Sequence, residues 1–253
     1  MKRDELVRFL DRTLELERFR DDDSNNGLQI EGKEEVGKAV FAVDGCQEVF
    51  DLAAEEGADF VFVHHGLSWG GGMKRWVGMD ARRFRTLFTH GISLYAAHLP
   101  LDAHPVYGNN AVLSDLIGLT ERRPFFRYDG VDIGFAGVLP EAASLEEVAG
   151  LLGEALEVEP VLRGDRGRSV RHAAVVSGGG GMDAVFAARD AGADVLITGE
   201  LEHVMHHAAL ESGVAVIALG HYASETVGVL AMEKLVAETF GVAVTFAEVE
   251  TGL

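Results

Sequence analysis

Two adjacent histidines, His64 and His65, follow the apolar run DFVFV and precede Gly66. Further along, His98 and Asp102 form H-x-x-x-D after ISLYAA, and His221 and Glu225 form H-x-x-x-E after VAVIAL. A four-residue interval is about one helical turn, so a helix starting at His221 puts that ring and Glu225 on one face. Neutral imidazole together with carboxylate suits zinc, iron, manganese or nickel. Neighbouring residues of a regular strand point to opposite faces, so the histidine pair cannot chelate one ion from within a strand. At a strand end, where Gly66 lets the chain turn, the two rings can serve different ions. Packing alone gives no reason for three such clusters at the ends of apolar runs. Five ligands (His64, His65, Asp102, His221, Glu225) exceed the needs of one tetrahedral ion. A shared carboxylate between two ions is the economical arrangement.

Other polar residues have competing readings. His98 is either a further ligand or a hydrogen-bond donor that orients Asp102, and the second is preferred. Glu200 ends the run VLITGE and is either an acid/base group or a structural carboxylate at a strand end. His203, His206 and His207 lie in the helix-like run EHVMHHAALE, which lacks the glutamate of HExxH and reads as a solvated face. The run SGGGG (177–181) places backbone N–H groups where a phosphate could be met, but it has no lysine and no P-loop spacing, so a tight turn explains it equally well. Cys46 has no base beside it in sequence and is not read as a nucleophile.

The elements that position these residues follow from periodicity. Leu6, Leu10 and Leu14 give Asp4 to Glu17 the pattern of an amphipathic helix, and the polar run 21–32 follows as a loop. Strand-like KAVFAV (38–43), DFVFV (59–63) and ISLYAA (92–97) alternate with helical patterns at CQEVFDLAAEEG, near 80–90 and at about 107–118. That alternation predicts an α/β fold with a parallel or mixed sheet. EEGADFVFVHH (55–65) lies over DAGADVLITGE (190–200) without a gap, and GISLYAAHLPLD (91–102) over GVAVIALGHYASE (213–225) with one residue of slack. The match predicts a duplication: a first α/β repeat over 1–125 and a second over 126–253, joined near RRPFFRYDG (122–130). Gly-Ala-Asp before a strand is a common helix-to-strand turn, so chance similarity is the competing explanation.

Composition narrows the function classes. The chain has 253 residues, 22 Lys and Arg against 41 Asp and Glu, and a net charge of −19. Such a surface repels phosphate backbones and argues against broad nucleic-acid binding. No apolar stretch is long enough to span a bilayer, and MKRDELVRFL lacks the apolar core of a secretory leader, so a cytoplasmic protein is expected. A single cysteine precludes an intrachain disulfide and Cys-rich zinc or iron–sulfur sites.

Taken together, NNGLQIEG (25–32), VHHGLSW (63–69), HLPLDAHPVYGNN (98–110), SGGGG, ITGE (197–200) and GHYASE (220–225) resemble the YbgI-like family of dinuclear-metal-centre hexameric proteins, often labelled GTP cyclohydrolase 1 type 2 homologues. The likeness runs from about residue 4 to 247. It implies two intertwined, duplicated α/β repeats with mixed sheets, and a toroidal homohexamer with metal sites facing an internal cavity. It also implies that His64, His65, Asp102, His221 and Glu225 hold a pair of divalent ions, with Glu225 as the bridge. Many relatives have proline where this chain has Gly66, which bears on loop shape rather than on the ligands.

Two functions fit. One is a metal-dependent hydrolase of a small nucleotide-like or heterocyclic substrate, with Glu200 or His98 moving protons. The other is a metal-handling or metallo-cofactor chaperone protein that binds without turnover. Open coordination positions favour the first, and the lack of a recognisable basic cluster to grasp substrate favours the second.

Overall fold

Parallel strands are buried on both faces and therefore need nearly continuous apolar runs. A computed structural model, which describes residues 1–72 and 75–253, places such strands on the runs expected of them. In chain order the elements are α1 (Arg3–Thr13), β1 (Gly27–Ile30), β2 (Lys38–Asp44), α2 (Gln47–Glu55), β3 (Phe60–His65), α3 (Gly78–His90), β4 (Ser93–Ala96) and α4 (Leu99–Ala103). They continue with α5 (Asn109–Leu116), β5 (Thr120–Tyr128), β6 (Val131–Ser144), α6 (Leu145–Leu156), β7 (Val161–Arg163), β8 (Ser169–Val176), α7 (Gly181–Asp190), β9 (Val195–Thr198), α8 (Met205–Ser212), β10 (Ala215–Ala218), α9 (His221–Phe240) and β11 (Ala243–Phe246). The fold is α/β, with two sheets of mixed strand orientation.

The chain packs as two compact units, Met1–Leu101 with Val229–Val249, and Asp102–Gly228 with Glu250–Leu253. These packing boundaries differ from the sequence repeats 1–125 and 126–253. One falls inside α4 and another inside α9, and the first unit takes its last strand from near the C-terminus.

The first unit holds a five-stranded sheet of order β1-β4-β3-β2-β11. Strand β1 runs antiparallel to β4, and the β4–β3, β3–β2 and β2–β11 pairs are parallel. Alternation along β3 divides its side chains. Val61 and Val63 join Val40, Ala42, Phe50, Leu87 and Leu94 in one buried cluster. Phe60 and Phe62 turn the other way and stack with Tyr95, Phe62 at 5.7 Å between centroids. The Tyr95 hydroxyl donates to Asp11 at 2.9 Å. Helix α1 is shorter than the leucine spacing predicts: Glu15 adopts left-handed backbone (φ 49°), and the chain tightens into a 3-10 turn at Leu16–Arg18. The polar run 21–32 is not all loop, because Gly27–Ile30 pairs with β4.

The second unit holds a six-stranded sheet of order β5-β6-β8-β9-β10-β7. Its centre, β8-β9-β10, is parallel, and the flanking pairs are antiparallel. The segment expected to join two repeats is a β5–β6 hairpin, with Tyr128 opposite Val131. Both intervening residues have positive φ, 44° at Asp129 and 80° at Gly130. An Asp-Gly pair suits this geometry, which matches the twist of the strands.

The two Gly-Ala-Asp turns make similar bonds. Asp59 accepts from the Gly37 amide at 2.9 Å, next to the start of β2. Asp194, its counterpart, accepts from the Arg171 and His172 amides at 2.9 Å each, near the start of β8. Each aspartate also donates its own amide to the adjacent strand, Asp59 to Lys38 and Asp194 to His172. In both sheets a carboxylate therefore ties the entry of one parallel strand to its neighbour.

Candidate metal centre

Strand β3 ends in His64 and His65, with His65 directly opposite Asp44 across the parallel β2–β3 register. His65 Nδ1 lies 2.9 Å from Asp44 Oδ1. His64 is fully buried, and its Nδ1 lies 2.8 Å from the Ala97 carbonyl oxygen, just past β4. A carbonyl can only accept, so the Nδ1 of His64 carries the proton. His98 follows β4, and its Nδ1 lies 2.9 Å from Asp22 Oδ1. Burial alone would raise the Asp22 carboxyl. His98, the Asn26 side chain and the Ser24 amide outweigh burial and hold it below its ordinary value. The ionised Asp22 accepts the Nδ1 proton of His98.

All three rings are thus anchored through Nδ1 on oxygen. In a neutral ring this leaves Nε2 as the basic nitrogen, the tautomer that metal-binding histidines use. The rings come together at the strand ends, with centroids 4.5 Å apart for His64 and His65, 5.3 Å for His64 and His98, and 5.7 Å for His65 and His98. One ring nitrogen from each lies within 4.8 Å of the others. Two donors at 2.0–2.1 Å on a tetrahedral ion stand about 3.3 Å apart, so modest rotations would close the rings on a cation.

The polar run leading into and through β1 frames this cluster. Asn26 Oδ1 accepts from the His98 amide at 2.8 Å, and Asp22 Oδ2 accepts from the Leu99 amide at 3.1 Å. Gln29 Oε1 accepts from the amides of Leu67 and Ser68 at 2.8 and 3.1 Å, which pins the turn after the histidine pair. A side chain at Gly66 would overlap both Ala96 and Gln29, so the close approach of this turn requires glycine.

The second unit carries Asp102, Glu200, His221 and Glu225. Asp102 is buried, and its Oδ1 accepts from Asn109 Nδ2 at 2.8 Å and Ser177 Oγ at 2.9 Å. The Asn109 Oδ1 in turn accepts from the Gly228 amide at 2.9 Å, and Asn110 Oδ1 from the Ser177 amide at 2.6 Å. Helix α9 begins at His221, so His221 and Glu225 share a face, with Nε2 3.2 Å from Oε1. That spacing matches two donors on one tetrahedral ion. On its other side, His221 Nδ1 lies 2.6 Å from Glu200 Oε1. Glu225 first, then Glu200, overcome the effect of burial and raise the His221 ring to about 9. The two carboxylates thus favour positive charge at this ring, which a cation against Glu225 would supply in place of a proton.

Within each unit the structure gathers sequence-predicted residues. His64, His65 and His98 are brought together in the first unit, and His221, Glu225 and Glu200 in the second, with Asp102 held by its own network. Glu200 touches His221 through Nδ1, the atom by which the other three histidines are also anchored. The glycine run brackets the second group: Gly178 accepts from the Gly199 and Glu200 amides at 3.0 Å, and its own amide donates to Ser224 Oγ at 3.0 Å. His203 and His207 are exposed, and His203 lies outside α8. Residue types at the expected spacing did not reveal the orienting groups Asp22, Asp44, Asn109 and Ser177. The only available signals were the asparagines of NNGLQ and GNN and the serine of SGGGG.

Known proteins resemble this chain over its whole length. A protein named GTP cyclohydrolase 1 type 2 homolog from Pyrococcus abyssi is 44% identical over the full length of both chains. One of the same name from Archaeoglobus fulgidus is 47% identical over 98% of each. The solved structure of protein ybgI, described as of unknown function, superposes with a TM-score of 0.92 at 36% identity over all of both chains. The family model for Duf34/NIF3 (NGG1p interacting factor 3) matches residues 1–252. With that match spanning nearly every residue, the chain belongs to the Duf34/NIF3 family.

Proposed function

We propose that this protein is a metal-dependent hydrolase of a small nucleotide-like or heterocyclic substrate. In this reading His64, His65, Asp102, His221 and Glu225 hold a pair of divalent ions, with Glu225 shared between them. The observation that carries it is the common anchoring of the candidate histidines. Each offers Nδ1 to an oxygen, which sets the ring for coordination through Nε2. Such ions, when bound, lower the pKa of a coordinated water and polarise the bond to be cleaved. The chain's own residues supply the rest. Asn109 and Ser177 fix the Asp102 carboxylate, and Glu200 and His98 are the groups assigned to proton transfer. The relatives' printed name supports a purine or pterin-like heterocycle as the first substrate to try.

A second reading, metal or metallo-cofactor handling without turnover, draws on the same pairs. Asp22, Asp44, Glu200 and Glu225 each sit against a histidine, a setting that attracts cations and disfavours anionic substrates. The two readings separate on hydrolysis of a panel of nucleotides and pterin precursors by metal-loaded protein. Product that disappears in Asp102→Asn supports the hydrolase, and tight metal binding with no product across the panel supports the handling protein.

The assembly proposed is a homohexamer, working in the cytoplasm. Trp76, Val77, Met79 and Phe88 are each more than half exposed in the first unit, and such side chains are commonly covered in an oligomer. Among the described residues, no helix is long and apolar enough to cross a membrane.

A further inference from the structure

We propose that Trp69 is a stacking platform that positions a planar heterocyclic ligand beside the histidine cluster of the first unit. This rests on the reading of that cluster as a metal-dependent site. Trp69 is 38% exposed, although an indole that served packing alone would be expected to bury its faces. Its edge meets His98, with centroids 5.0 Å apart and planes at 71°, and its centroid lies 6.1 Å from that of His65. Its position is held by an extensive set of bonds for a surface side chain. The indole N–H donates to the Gly66 carbonyl at 2.9 Å, which fixes the ring plane. The backbone beside it is fastened to the run before β1: Asn25 donates its amide to the Ser68 carbonyl at 3.1 Å and its side chain to Ser68 Oγ at 2.7 Å. Gln29 adds the two bonds to Leu67 and Ser68.

Ordering a turn costs conformational entropy for each residue, and the partial burial of Trp69 returns little of it. A rigid, half-open indole next to three imidazoles suits the face of a planar ring. Stacking adds affinity without demanding a particular base, because every such ring has a π face. The apolar ring surface thus offers a planar substrate a handle that does not depend on its charge.

The chain has two tryptophans, so Trp76→Phe makes Trp69 the only indole emitter while keeping a ring against Phe84. Guanosine should quench this emission saturably in both zinc-loaded and metal-free protein, and inorganic tripolyphosphate should not. By calorimetry, Trp69→Phe should bind guanosine within a few-fold of the parent, and Trp69→Ala about tenfold or more weakly. Metal content should be equal in the two variants, which separates stacking from damage to the turn. Absence of saturable quenching by guanosine, equal quenching by tripolyphosphate, or equal affinity of the Ala and Phe variants would overturn the proposal. The assay needs no turnover. Guanosine binding through Trp69 with no product across the nucleotide and pterin panel would end the hydrolase reading alone, and unimpaired hydrolysis by Trp69→Ala would end only this one.

Discussion

Gly178 stands hard against Glu225: a Cβ there would overlap Glu225 Oε1 and come within 3.2 Å of His221 Nε2. Its backbone is also left-handed, at φ +59°. A glycine in the run SGGGG thus lets the chain pass directly beside the candidate ligands. Gly178→Ala meets a backbone cost of about 1–2 kcal/mol for the left-handed conformation, with the overlap in addition. The expected result is a fall of about 2 kcal/mol or more in denaturant unfolding, together with weakened metal binding. Gly192→Ala has a similar φ but open space around it, so it should show the backbone cost without the metal effect.

Glu225→Gln keeps the shape of the side chain and removes its charge. In a buried site that charge dominates the attraction to a cation, so the variant should lose metal at both positions if Glu225 is shared. His207→Ala, on the exposed face of α8, should leave metal content unaltered. Stoichiometry by elemental analysis decides between them, and loss in the His207 variant with retention in the Glu225 variant would place the metal in the helix α8 cluster instead.

Asp59 and Asp194 provide a pH signature away from the candidate ligands. Burial pushes both carboxyls up. For Asp59 the Lys33 ammonium and the Gly37 amide outweigh it, and for Asp194 the amides of His172 and Arg171 do, so both lie below the ordinary value of 3.8. A carboxylate depressed on folding stabilises the fold fully above its unfolded pKa, and the contribution disappears as pH falls through the folded pKa. The stability lost in Asp59→Asn and Asp194→Asn should therefore be largest near neutrality and shrink as pH drops below about 4. Urea midpoints measured across that range check it, and a deficit that grows towards acid would contradict the assignment.

The parts of the molecule readable in its sequence were those governed by local pattern. KAVFAV, DFVFV and ISLYAA are continuous apolar runs, and each became a parallel strand because such strands have no solvent face to mark by alternation. Strand β1 was hidden in a polar run: it is four residues long and exists through its pairing with β4, some 70 positions away. The hairpin at Asp129-Gly130 had a local signal, the Asp-Gly pair, inside the segment expected to join two repeats. The histidines could be picked out by residue type and placement, but the aspartates beside them could not. Asp44 meets His65 only through strand register, and Asp22 meets His98 across 76 residues of chain.

Assembly is open to a simple measurement. If the exposed side chains of Trp76, Val77, Met79 and Phe88 lie in subunit interfaces, light scattering should report a mass about six times that of the chain. Phe88→Glu should reduce it without unfolding the protein. A stable monomer at micromolar concentration in the parent protein would contradict the hexamer.

The most direct test of the central claim is the metal content of the purified protein. Elemental analysis, before and after reconstitution with zinc, iron, manganese or nickel, should find about two divalent ions per chain, as expected for a paired-metal site. Protein that retains no transition metal after reconstitution would contradict the account.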